Sequence, residues 1–148
     1  MFTSFMGQYE HSIDEKGRMT IPARYRELLV TGAVITLGFD ENLWALRTAD
    51  YEEIEAKIGR MNPADPNVRQ LARLILSHAE FVEPDRLGRI LLPQFLRDSG
   101  HLTDTAVVVG VGRYFEIWSR ELWSAQVAML HDPTITQERL ALFDLSHQ

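Results

Sequence analysis

Polar and apolar positions alternate from Gln8 to Ile13, with Tyr9, His11 and Ile13 set against Gln8, Glu10 and Ser12. A period of two is that of a strand with one buried face. Asp14-Glu15-Lys16-Gly17 interrupts the alternation, and Arg18-Met19-Thr20-Ile21 resumes it. Asp at the first and Gly at the fourth position form a type I turn signature. Gly17 can adopt the left-handed backbone that completes a hairpin with a bulge. The spacing therefore predicts a β-hairpin. Pro22 cannot donate to a ladder and suits the first turn of a helix, so Ala23 to Leu28 reads as a short helix. Two further strands are predicted at Val34–Leu37 and Leu43–Leu46.

The rhythm then lengthens to that of a helix. Tyr51, Ile54 and Ile58 form a stripe that Asp50 is expected to cap, with Glu53 three residues on and Gly59 at its end. Asp65-Pro66 opens a second helix carrying Val68, Leu71, Ala72, Ile75 and Ala79. Met61 to Ala64 reads as the loop between them. Ser119 is expected to cap a third helix with Trp123, Val127 and Leu130 on one face. Asp132-Pro133 breaks it and starts a last segment, of which Thr136–Leu145 reads as amphipathic.

The chain repeats itself. Asp14-Glu15-Lys16-Gly17-Arg18-Met19-Thr20-Ile21-Pro22 recurs as Asp85-Arg86-Leu87-Gly88-Arg89-Ile90-Leu91-Leu92-Pro93, at an offset of 71 with Asp, Gly, Arg and Pro in register. Leu37-Gly38 maps to Val109-Gly110, and Leu43–Leu46 to Phe115–Trp118. The second copy predicts a hairpin at 85–93, a short helix at 94–98 and strands at Ala106–Val109 and Tyr114–Trp118. Self-similarity of this kind marks a duplicated supersecondary unit. We divide the chain into a first repeat with its helix at 5–60, a helical connector at 61–76, a second repeat with its helix at 77–131 and a helical tail at 132–148. The two repeats should superpose, with Gly17 and Gly88 both at positive φ.

Composition narrows the function. The chain has 148 residues, 45% of them hydrophobic and 24% charged, as in an ordinary folded domain. It has no cysteine, which excludes disulfides, thiolate metal sites and cysteine nucleophiles and fits a reducing cytosol. No apolar run reaches the roughly 18 residues of a membrane span, and Met1 to Met6 lacks the form of a signal peptide. His11, His78, His101, His131 and His147 show no metal-ligand spacing. Gly110-Val111-Gly112 lacks the third glycine of a dinucleotide fingerprint and reads as a hairpin turn. Carboxylates form no recognisable acid/base pair. An enzyme is not expected, nor is a cofactor.

Net charge is −6, against the basic footprint usual for nucleic-acid binding. Yet 13 of the 15 basic residues are arginine, the side chain suited to bidentate contact with phosphate and guanine. Arg18 and Arg89 stand just after the two turns. Each could be an outward strand residue paired with its own Asp14 or Asp85. As a duplicated pair they also form two prongs, and a β-ribbon can enter the major groove. Lys16, Arg24 and Arg86 lie beside them as candidate phosphate contacts. Asp14 and Asp85 would orient the guanidinium groups or simply build the turns. Tyr25, Phe95, Trp44, Trp118 and Trp123 read as core or subunit interface rather than base-stacking platforms.

Taken together, Tyr9-x-His11-x-Ile13-Asp14-x-Lys16-Gly17-Arg18-x-x-Ile21-Pro22, then Asp85-x-x-Gly88-Arg89-Ile90-x-Leu92-Pro93, then Glu116-Ile117-Trp118, resemble the MraZ family of bacterial transcriptional regulators across about residues 5–131. The resemblance implies an α+β fold of two tandem AbrB-like swapped-hairpin units in one chain, joined and flanked by helices. It implies a cytoplasmic, nucleoid-associated, ring-shaped homo-oligomer. Such a ring would bind repeated double-stranded DNA elements upstream of the operon for cell division and cell-wall synthesis, acting as a repressor. The family's D-x-x-x-R DNA-contacting motif maps onto Asp14 with Arg18 and Asp85 with Arg89. A protein-interaction module of the antitoxin type on the same fold is the competing expectation; it would make little use of the arginines.

Overall fold

The computed structural model describes residues 3–145. Met1 and Phe2 of the N-terminal stretch, and residues 146–148 of the tail, lie outside the described residues. Among the described residues, eight strands and six α-helices follow in order: β1 (Gln8–Ser12), β2 (Arg18–Thr20), α1 (Ala23–Arg26) continued by a 3₁₀ turn over Glu27–Leu29, β3 (Ala33–Leu37), β4 (Leu43–Arg47), α2 (Thr48–Gly59), α3 (Pro66–Ile75), β5 (Glu80–Val82), β6 (Arg89–Leu91), α4 (Gln94–Ser99), β7 (Thr105–Gly110), β8 (Tyr114–Trp118), α5 (Arg120–Leu130) and α6 (Pro133–Leu142). No helix among the described residues is long and apolar enough to cross a membrane.

The two halves exchange strands. The main sheet runs β1-β7-β8-β4-β3-β5 and a separate ribbon pairs β2 with β6. β1 of the first half lies antiparallel on β7 of the second, and β5 of the second half lies on β3 of the first. β4 and β8 meet at the centre. Swapping the halves maps the strand order onto itself.

This changes the expected hairpins. Each turn closes as predicted, with Asp14 N donating to Arg18 O at 3.0 Å and Asp85 N to Arg89 O at 2.8 Å. Beyond the turn the strands part. Only an isolated bridge, Ile13 to Met19, links the strands flanking the first turn, while β1 and β2 each find a partner in the other half. Alternation specifies which face a strand buries but not which strand it pairs with.

The core lies between the inner face of the main sheet and the ribbon with its short helices. Ile35, Ala45, Val108, Phe115 and Ile117 from the sheet pack against Met19, Ile90, Ile21, Leu92, Tyr25 and Leu96. Phe5, Tyr25 and Phe115 form an aromatic centre with ring centroids 4.9–5.2 Å apart. The outer face is covered by helices. Val107, Val109 and Trp118 meet Trp123 of α5, with Trp118 and Trp123 centroids 5.4 Å apart.

Asp65, Ser119 and Asp132 cap their helices through side-chain oxygens. Asp50 does not cap α2, which starts at Thr48. Its carboxylate instead takes Arg47 Nε at 2.9 Å and Arg113 Nη2 at 2.5 Å. Burial of Asp50 opposes its charge, but these two guanidinium groups outweigh it and hold the carboxyl below its ordinary range. Ala79 lies beyond α3, in the approach to β5. Tyr25, Trp118 and Trp123 are core residues and Trp44 is half-buried, but Phe95 is 42% exposed. The tail is helical yet buries nothing, leaving Leu142, Phe143 and Leu145 in solvent.

Candidate nucleic-acid interface

The two turns are built alike. Asp14 Oδ1 accepts from the backbone N–H of Lys16 at 3.0 Å and of Arg18 at 2.9 Å, and Oδ2 accepts from Arg18 Nε at 2.8 Å. Asp85 does the same for Leu87 (2.9 Å), Arg89 (2.9 Å) and Arg89 Nε (2.8 Å). The backbone N–H of Arg18, then its guanidinium, hold the Asp14 carboxyl below its ordinary range against a desolvation penalty; Arg89 does likewise for Asp85. Short polar side chains bond their own following backbone in this way, which is why Asp starts such turns. Gly17 and Gly88 occupy the matching positive-φ sites at 87° and 74°.

Because each aspartate engages only Nε, the terminal amino groups of both arginines bond to no partner among the described residues. Those groups form the fork that can bind a guanine edge or a phosphate in two bonds. The ribbon register places them together. Arg18 lies opposite Leu91, Thr20 opposite Arg89, and Met19 opposite Ile90. Met19 and Ile90 are buried, so Arg18, Thr20, Arg89 and Leu91 share the outward face. The arginines are diagonal neighbours, about 7–8 Å apart at the backbone.

The flanking cations are less regular. Lys16 and Arg86 are both exposed, but at different turn positions: at the 71-residue offset, Lys16 matches Leu87 and Arg86 matches Glu15. Arg24 is exposed on α1 and outside the turn network; its Nη1 donates to the Tyr9 hydroxyl at 3.2 Å. Its counterpart in the second half is Phe95, so the basic rim is not duplicated.

Four residues of the site were not singled out from the sequence. Thr20 and exposed Leu91 complete the outward face. Arg26 and Arg97 contact the turns from behind: Gly88 packs against the guanidinium of Arg26 and Gly17 against that of Arg97. The alternation through 18–20 and 89–91 carried a signal for the first pair. The repeat offset, which equates Arg26 with Arg97, carried one for the second.

The family model described as "MraZ protein, putative antitoxin-like" matches the chain twice, over residues 4–74 and 75–144. Among similar curated proteins, the transcriptional regulator MraZ of Roseiflexus castenholzii is 45% identical over 119 residues, covering 80% of this chain and 83% of that protein. The namesake from Thermomicrobium roseum is 42% identical over 139 residues, covering 93% and 97%. That from Moorella thermoacetica is 44% identical over 119 residues, covering 80% and 83%.

Proposed function

Since the chain belongs to the MraZ family, whose members are transcriptional regulators and not enzymes, we propose that it regulates transcription by reading double-stranded DNA with the ribbon that carries Arg18 and Arg89. The observation that carries this reading is the pair of identical Asp-clamped arginines on one outward face, their forks bonded to no partner among the described residues. Asp14 and Asp85 aim the guanidinium groups. Lys16, Arg24 and Arg86 contact phosphate. Leu91 offers an apolar surface to a thymine methyl group.

The strand exchange supports an AbrB-like swapped-hairpin arrangement with both units in one chain, divided as 5–60, 61–76, 77–131 and 132–148. On this reading the protein is cytoplasmic and nucleoid-associated, and represses the operon for cell division and cell-wall synthesis. One ribbon on an acidic protein binds weakly. A ring of copies on repeated upstream elements would gain about 10²–10⁴ in affinity by avidity.

A mobility-shift assay on the duplex upstream of its own operon, across a salt series, tests the proposal. Arg18→Ala or Arg89→Ala should cost on the order of 1–3 kcal/mol and relax sequence preference. Arg24→Ala should weaken all sequences equally and flatten the salt slope by roughly one unit per site. A folded Arg18→Ala, Arg89→Ala double variant with undiminished affinity and selectivity would sink the proposal. In that event the exposed apolar residues of α6 favour the second reading, an antitoxin-type module that binds a protein through its tail.

A further inference from the structure

We propose that Arg26 and Arg97 are positioning residues that act across the repeat: Arg26 holds the turn that aims Arg89, and Arg97 holds the turn that aims Arg18. The inference rests on the reading that Arg18 and Arg89 contact DNA. Arg26 and Arg97 are equivalent under the 71-residue offset, and each follows its own turn by eight or nine residues in the chain. Each nevertheless packs on the other unit's turn. A Cβ placed on Gly17 would stand 2.7 Å from Cζ of Arg97, and one placed on Gly88 would overlap the Arg26 guanidinium. The planar groups thus lie against the turn glycines, in space that any other residue would fill.

The backbone couples the same places. Gly17 O accepts from Leu92 N at 2.8 Å, and Gly88 O accepts from Ile21 N at 2.9 Å. Arg97 Nε donates to Leu92 O at 2.8 Å, so one guanidinium spans both partners of that link. Arg26 Nε is buried with no hydrogen-bond partner among the described residues. A desolvated, unpaired donor is costly, and each such group calls for an explanation. Here the flat guanidinium fills the gap behind Gly88. The fork of Arg89 is fixed to its own turn by Asp85, so displacement of the turn displaces the fork.

Double-mutant cycles on the full-length protein, with the duplex upstream of its own operon, test this. Arg26→Ala and Arg97→Ala should each weaken binding on the order of tenfold, within what misplacing one bidentate base contact can cost. The salt slope should stay at the wild-type value, because neither residue contacts phosphate. The couplings should cross the repeat. Arg26→Ala should add little to Arg89→Ala but multiply the loss in Arg18→Ala; Arg97→Ala should show the converse. If an alanine variant fails to fold, Arg26→Lys and Arg97→Lys carry the same cycles, since lysine lacks the planar group. A slope flatter by about one unit would mean direct phosphate contact and overturn the inference. Losses that multiply in the Arg26, Arg89 pair would also overturn it, as would wild-type binding by both lysine variants. Undiminished binding by the Arg18→Ala, Arg89→Ala double variant would instead overturn the reading beneath it.

Discussion

Asp14 and Asp85 each divide their work between two oxygens, one closing the turn and the other holding an arginine. Asp14→Asn should therefore keep the turn but release the fork. Selectivity for the operator should fall more than the melting temperature does, a comparison that binding and thermal unfolding can make together. Both carboxyls are shifted down, so the stability they lend is present above their unfolded value and is lost only as pH falls through the folded one. Both stay ionised near neutrality, so small pH changes there should leave binding unaltered. His11 titrates elsewhere. Burial first, then the charge of Arg26, pushes its pKa down, and its Nε2 is buried without a partner among the described residues. The folded state then holds the proton less well than the unfolded chain. Stability should be full above the ordinary histidine value of about 6.5 and should decline as pH falls below it. Thermal melts between neutrality and mild acid should show this decline, and His11→Gln should reduce it. Tyr25 belongs to the core rather than to any interface: its hydroxyl donates to Met6 O at 2.6 Å, and burial raises its pKa to about 12. Tyr25→Phe should cost on the order of 1 kcal/mol in chemical denaturation, by stranding that carbonyl.

Elements were legible where local chemistry decides them. Asp65-Pro66, Ser119 and Asp132-Pro133 start their helices because side-chain oxygens reach the first free N–H groups. Ser119→Ala should cost about 1 kcal/mol of stability, measured by denaturant midpoint. The strands around Gly38 and Gly110, and both turn glycines, were equally readable. Asp50 was misread because its rivals for the carboxylate, Arg47 and Arg113, come from the preceding strand and from a residue 63 positions away. Phe95 is not a core residue, because a helix as short as α4 has too few turns to define a buried apolar face; of its two expected places, only a subunit interface stays open. The partners of β1, β2, β5 and β6 were not legible from alternation at all. Their pairing depends on residues tens of positions distant, so only the repeat and the family resemblance pointed to an exchange. For the site, the aspartates and arginines could be named from the turn pattern. Their common face could not, since it follows from the β2–β6 register.

At the scale of the molecule, neither half is complete. A fragment of residues 1–76 contains β1 and β3 but lacks β7 and β5 to cover them. It should be largely unfolded at low concentration, and should gain strand structure only by pairing with a second copy. Circular dichroism with analytical ultracentrifugation over a dilution series checks this; a folded monomeric fragment would contradict the exchange. The same arrangement sets a clock during synthesis. β1 ends at Ser12 and its partner begins at Thr105. At about 5–20 residues per second, a ribosome takes roughly 5–20 s to make the intervening chain. Throughout that interval the nascent strand has an open edge, the kind of surface on which neighbouring chains aggregate. The alternating exposed positions Gln8, Glu10 and Ser12 keep one side of that waiting strand polar until the second repeat emerges.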